Sequence, residues 1–231
     1  MKKIAKITKT IGISLLIILV LPLFVYAEKY DADVYKYSQR ELEQIKVERK
    51  NKLQKIEQEV KPYGSDIDMY ARVNVPCFTQ IETNYCGPAV VKQTMESVVG
   101  RSESQYYYAE KIGTTGAGSS FSDIASYLRE NARNSFPDYV YEEIGSYLYW
   151  VESIHYCLDR KRKPPVLDVY GFAPGSTGHY INIDIIDIRH DRHDIRVVDP
   201  NYDRRYGGYV WYDAHEVYKK NKQHMLSSAL W

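Results

Sequence analysis

Cysteine is scarce in this chain: Cys77, Cys86 and Cys157 are the only three in 231 residues. That excludes a disulfide scaffold, which needs several bridges in a short chain. Excess charge of one sign is also missing, with 31 Lys+Arg against 30 Asp+Glu and a formal net charge of +1. Without a basic surplus there is little to neutralise a phosphate backbone, so nucleic acid is not an expected partner. Long apolar runs are absent as well. The run at residues 11–25 has 15 residues without a charge, short of the roughly 20 that a membrane-spanning helix needs. No internal repeat is present. What remains is 44% hydrophobic and 26% charged residues, the composition of a folded domain. The length suits one domain with an appendage.

The appendage is N-terminal. Lys2, Lys3, Lys6 and Lys9 precede the apolar run, and Val25-Tyr26-Ala27 follows it. A basic start, an apolar stretch of this length and a small residue at its end make a secretory signal peptide over residues 1–27, cut after Ala27. No cysteine flanks that point, so a lipid-anchored form is not expected. The sequence thus predicts a secreted or envelope-associated protein, touching a membrane only through the signal peptide if it stays uncut. Residues 28–64 follow as a charged arm. Leu42, Ile45, Leu53, Ile56 and Val60 recur at helical spacing, Arg49 interrupts them, and Pro62 and Gly64 end the segment. Such a thin stripe suits a solvated spacer or a removable cover over an active site.

Residues 65–231 form the expected domain. Residues 73–80 read as an extended strand leading into a loop. A helix follows Cys86, with Pro88 in its first turn and Gly100 as its stop. A Tyr-rich helix covers residues 104–112. Ser120 and Asp123 read as a capping box for a further helix, and another spans residues 147–161 before Pro164 and Pro165. The periodicity then changes to strands at residues 166–172, 179–188, 195–200 and 208–213, with RHDRHD as a polar turn and a helical turn at residues 214–220. Helices first and an antiparallel sheet second is α+β, not alternating βαβ.

Four residues carry the expected chemistry. Cys86 lies at a loop-to-helix junction, where unpaired N–H groups and the helix dipole favour a thiolate, the reactive form of the side chain; Gly87 beside it leaves room for a substrate backbone. Gln80, six residues upstream, can bring a carboxamide to the same place as the Cys86 N–H, making a two-donor oxyanion hole. His179 opens a strand after a Gly/Ser loop and suits a general base. Asp199 ends the next strand before Pro200. A hairpin pairing 179 with 199 turns at residue 189 and lets Asp199 orient the imidazole through its distal nitrogen. Read singly, each has a plainer explanation: a buried thiol, a surface amide, a structural histidine, an Asp-Pro turn.

Taken together, VPCFTQIETNYCGPAVVKQTM, GHYINIDIID and VVDPNYD resemble the papain-like cysteine peptidases, and within them the bacteriocin-processing, double-glycine leader peptidases and their stand-alone secreted relatives. The resemblance covers about residues 74–218. It implies a papain-like α+β fold, a cysteine peptidase acting on a peptide or protein, Cys86 as nucleophile, His179 as base, Asp199 as orienter and Gln80 in the oxyanion hole, with no cofactor. Two other activities fit the same residues: an amidase of cell-wall stem peptides, which also attacks an amide carbonyl, and a papain-like module that only binds. The latter has no need of all four residues.

The remaining features are less specific. Cys77 and Cys157 either pair or stay as thiols. His190, Asp191, His193 and Asp194 sit with two arginines and read as a solvated hairpin tip, not as a metal site. The tyrosines at 106–108 and 139–149 either line a groove or pack at the surface. Oligomeric state is not legible.

Overall fold

The computed structural model describes residues 68–132, 139–172, 178–189, 191–224 and 226–231. The expected signal peptide and charged arm lie outside the described residues. The elements are β1 (Met69–Arg72), α1 (Cys86–Val99), α2 (Gln105–Lys111), α3 (Phe121–Asn131), β2 (Tyr141–Glu143), α4 (Tyr147–Tyr156) continuing as a π-helical turn (Cys157–Lys161), β3 (Val166–Val169), β4 (His179–Arg189), β5 (Arg192–Asp199), β6 (Gly208–Asp213), α5 (Ala214–Gln223) and β7 (Ser228–Leu230).

The strands form one antiparallel sheet in the order β2-β7-β3-β4-β5-β6, with β1 joined to β4. At 11 residues, β4 is long enough to take two partners on one edge. His179 to Asn182 pair with β3, and Ile185 to Ile188 pair with β1. Between them β4 carries a bulge: Ile183 faces Val197, Ile185 faces Arg196, and Asp184 is the extra residue. The bulge explains the Ile185-Ile186 doublet in the sequence. Ile181 and Ile183 point into one core cluster, and the inserted residue lets Ile186 and Ile188 rejoin the same cluster.

Two cores flank the sheet. One joins Trp150, Val151, Ile154 and Leu158 of α4 and its π-turn, and Val217 of α5, to Leu167, Ile181 and Val197. The other joins Val90, Val91 and Met95 of α1, Tyr108 of α2, and Phe121, Ile124 and Leu128 of α3 to Val166, Tyr180 and Leu230. The α+β expectation holds.

Several boundaries differ from the sequence reading, each for a local reason. The first strand is Met69–Arg72, not residues 73–80. After Val73 N–H bonds Asp184 O at the bulge, the chain leaves the sheet, and Cys77 N–H is satisfied by Tyr209 Oη and Gln80 N–H by Pro200 O. Ser120 takes the N-cap position of α3 without capping it; its hydroxyl meets Ser122 Oγ at 2.7 Å, so the capping box does not form. The RHDRHD run is mostly strand: Arg189 pairs with Arg192, and strand β5 begins at Arg192. The helix from Tyr147 changes to π geometry at Cys157 and stops at Arg162, whose φ is 56°. The closing helical turn is a 10-residue helix capped by Asp213. β2 and β7, three residues each, had no periodicity to reveal them.

Candidate active site

Cys86 is the first residue of α1. Tyr85 precedes it as N-cap without a side-chain cap, the first turn carries no acid, and the first intrahelical bond runs from Ala89 N–H to Tyr85 O at 2.9 Å. The N–H groups of Cys86 and Gly87 therefore stand ahead of the helical ladder at its positive end, and Pro88 has none to satisfy. The helix starts here because Pro88 presets φ for the first turn, and it stops at Gly100, which takes the left-handed φ of 77°.

His179 and Asp199 close the other side. His179 Nε2 and Asp199 Oδ1 are 2.6 Å apart and both side chains are buried. Nε2 is thus committed to Asp199, and the Cys86 side chain lies close enough to interact with the same ring. Burial works against a charged ring, but the Asp199 carboxylate and the Cys86 sulfur outweigh it and raise the pKa of His179 to about 10. The imidazole is therefore protonated at neutral pH, and Asp199 holds its orientation.

Asp199 serves two roles with one oxygen. Oδ1 also accepts from Asn201 N–H at 2.8 Å, so the Asp-Pro turn and the histidine contact are features of the same carboxylate. Oδ2 is buried and meets no donor among the described residues, which leaves His179 as the main compensation for the charge. The loop beyond repeats the motif: Asp203 N–H donates to Asn201 Oδ1 and Arg205 N–H to Asp203 Oδ1. Gly207 closes it, because a Cβ there would come within 2.1 Å of Asn201 O.

Gln80 is buried beside these groups, its N–H bonded to Pro200 O at 2.7 Å. Its carboxamide Nε2 donates to Glu82 O at 2.9 Å and Thr83 O at 3.0 Å, shaping the loop that delivers Cys86. Gln105, which sequence reasoning passed over, clamps the same segment from α2: Nε2 donates to Thr79 O at 2.7 Å and Oε1 accepts from Ile81 N–H at 3.2 Å. A lone glutamine at a helix start carries no signal for such a role.

The space beside Gly87 is not open to a substrate as expected. Ser119 fills it, and a Cβ at Gly87 would lie 2.3 Å from Ser119 Oγ. Ser119 is held by Thr114 Oγ1 at 2.8 Å and receives Tyr180 Oη on its carbonyl at 2.8 Å. Glycine here lets the helix start approach the 114–120 loop. Asn84 ties the same loop down through Nδ2 to Thr115 O. Tyr106, 60% exposed, stands edge-to-face on Tyr85 at 5.9 Å, while Tyr108 and Tyr139 are core residues.

The other thiols lie apart from this chemistry. All three cysteines are free. Cys157 is fully buried and burial pushes its pKa up to about 12. Cys77, half-buried with Sγ 3.8 Å from Asp199 O, is also raised, by burial first and by Asp199 and Asp184 next. Among the described residues no group of three His, Cys, Asp or Glu side chains has the geometry to hold a metal ion; His190 lies outside them.

A family model for the Peptidase_C39 like family matches residues 72–226, about two thirds of the chain. The chain belongs to that family. It is a cysteine-type peptidase. Among solved structures, the C39-like chain is similar to the peptidase domain of Streptococcus ComA, a bi-functional ABC transporter involved in a quorum sensing pathway. The two share 17% identity at a TM-score of 0.48, over 68% of this chain and 97% of that one. It is also similar to a double glycine motif protease from an AMS/PCAT transporter in complex with the leader peptide, with 13% identity at a TM-score of 0.46, over 71% of this chain and 96% of that one. No curated protein matches this C39-like sequence.

Proposed function

We propose that the chain is an exported cysteine peptidase that hydrolyses peptide bonds with Cys86, His179, Asp199 and Gln80. The observation that carries the reading is the 2.6 Å contact from Asp199 to His179 Nε2, with Cys86 beside the same ring and at a helix start. In this reading the Cys86 thiolate attacks the scissile carbonyl carbon, and the developing oxyanion takes the Cys86 N–H. Gln80 gives up one of its two carbonyl partners and supplies the second donor. The C–N bond breaks as the His179 imidazolium passes its proton to the leaving amine. Water then attacks the thioester with neutral His179 as base, releasing the acid and restoring the thiolate–imidazolium pair. The substrate class is a peptide or protein. Export rests on the basic and apolar stretches of residues 1–27.

The test is incubation of the protein with a diverse peptide library, with cleavage read by mass spectrometry. Wild type is expected to cleave a subset of peptides, and Cys86→Ala to lose turnover by orders of magnitude while staying folded. Near-normal hydrolysis by Cys86→Ala would sink the proposal.

A further inference from the structure

Three fully buried polar side chains lie between α1 and β4, where the second core is otherwise apolar. They are Gln93 and Thr94 of α1 and Asn182 of β4. Asn182 Nδ2 donates to Gln93 Oε1 at 2.9 Å and to Val90 O at 3.2 Å, and Asn182 Oδ1 accepts from Thr94 Oγ1 at 3.1 Å. Gln93 Nε2 then donates to Phe78 O at 3.1 Å. One network thus joins the strand of His179, three residues from it, the helix of Cys86, one and two turns from it, and the segment of Gln80, two residues from it.

Apolar contacts between a helix and a sheet are non-directional and tolerate sliding, because burial energy depends on area. A buried amide network does not: a shift that leaves any member unpaired in the interior forfeits that group's hydrogen bond with no water to replace it. Val90 is one helical turn from Cys86, so the bond from Asn182 to its carbonyl fixes how far along α1 the strand sits. The sulfur and the imidazole are borne on these two elements, and their contact depends on that placement.

We infer that Asn182, with Gln93 and Thr94, is a positioning group for catalysis: it sets the offset between the nucleophile helix and the base strand, and through Phe78 the place of Gln80. The inference rests on the peptidase reading of Cys86 and His179. It touches no substrate and acts through those residues.

The test uses the full chain with Asn182→Leu, which keeps the branching and removes the three Asn182 bonds, and Thr94→Val, an isosteric change that removes the Thr94 hydroxyl from Asn182 and Tyr139. Val151→Ala, in the opposite core, serves as a control of similar destabilisation. Two quantities are read in folded protein: the rate of Cys86 alkylation by iodoacetamide at pH 7 and the titration midpoint of the His179 ring by NMR. Asn182→Leu is expected to slow alkylation about tenfold and to lower the His179 midpoint by at least one unit, because a misplaced ring loses the Cys86 sulfur. Thr94→Val is expected to do the same to a smaller degree, and it carries the test if Asn182→Leu does not fold. Val151→Ala is expected to lower Tm alone. Wild-type rate and midpoint in folded Asn182→Leu or Thr94→Val, or equal changes in Val151→Ala, would overturn the inference. Neither readout needs a substrate. A protein that meets both expectations and cleaves no peptide would therefore contradict the peptidase reading and leave the positioning role standing.

Discussion

Asp199 and His179 meet at 2.6 Å without being register partners. Val198 faces Asn182, so by continuation Asp199 lies opposite Ile181 and reaches His179 on the diagonal. A diagonal pair is longer across the backbone than a direct one, and the span is closed by the side chains. The Asn201 N–H holds the carboxylate from the far side.

That relation predicts the behaviour of Asp199→Asn. The amide oxygen can still accept from Asn201 N–H and from the ring, so the fold should survive. Its negative charge is gone, so the favourable interaction that raises His179 to about 10 is reduced. A raised histidine is protonated below its folded pKa and loses the proton as pH rises through it. The alkaline limb of peptide hydrolysis in wild type should therefore lie near pH 10, and in Asp199→Asn it should move downward. The rate at neutral pH should fall by about 10²-fold or more. The same sign applies to stability: the contribution of the His179 pairing is full below about 6.5 and is lost as pH rises toward 10. An unmoved alkaline limb in the variant would contradict this account.

Thiol labelling should be selective. Cys157 is sealed in the core with its pKa near 12, and Cys77 is raised by burial and two carboxylates. At pH 7, iodoacetamide should modify Cys86 at least about tenfold faster than either, as read by peptide mass spectrometry, because the thiolate is the nucleophile. Comparable modification of Cys77 would count against the assignment of Cys86.

Gly87→Ala should cost about 1–3 kcal/mol, the range for overpacking a well-filled site. The new methyl group would fall 2.3 Å from Ser119 Oγ and 2.7 Å from Ser119 Cβ. Adding Ser119→Gly should recover most of the loss in a double-mutant cycle measured by thermal unfolding. Strict additivity would mean that the two residues do not meet.

Gln80→Ala should lower kcat about 10²-fold, the typical worth of one oxyanion donor, and leave Cys86 open to alkylation. The carboxamide also holds Glu82 O and Thr83 O. Equal loss of alkylation and hydrolysis would assign Gln80 to loop structure alone.

Much of the site was legible because its parts are local. Cys86 before Gly87-Pro88 marks a helix start, Gly100 marks its end, and Asp199 before Pro200 marks a strand end, each by the backbone preference of one residue type. Strand order was less legible. β2 and β7 are too short for any period, and they exist because each pairs with a distant segment, Tyr141 with Leu230 and Val166 with Leu230. Pairing 179 with 199 puts the turn at 189, but Arg189 itself pairs with Arg192, because Asp199 lies opposite Ile181 and the bulge at Asp184 shifts the register further.

The sequence by itself singled out Cys86, His179, Asp199 and Gln80 as candidates and placed Cys86 at a helix start and Asp199 at a strand end, since helix starts, strand ends and apolar periods follow from properties of neighbouring residues. Tertiary structure alone decided what those side chains touch. It seated Ser119 against Gly87, spent the Gln80 amide on two carbonyls, and placed Gln105 around residues 79–81. It also buried Asn182 among Val90, Gln93 and Thr94, 88 to 92 residues away in the chain. The physical reason is that a hydrogen bond depends on tenths of an ångström and on direction, and neither is defined until two distant segments are packed against each other.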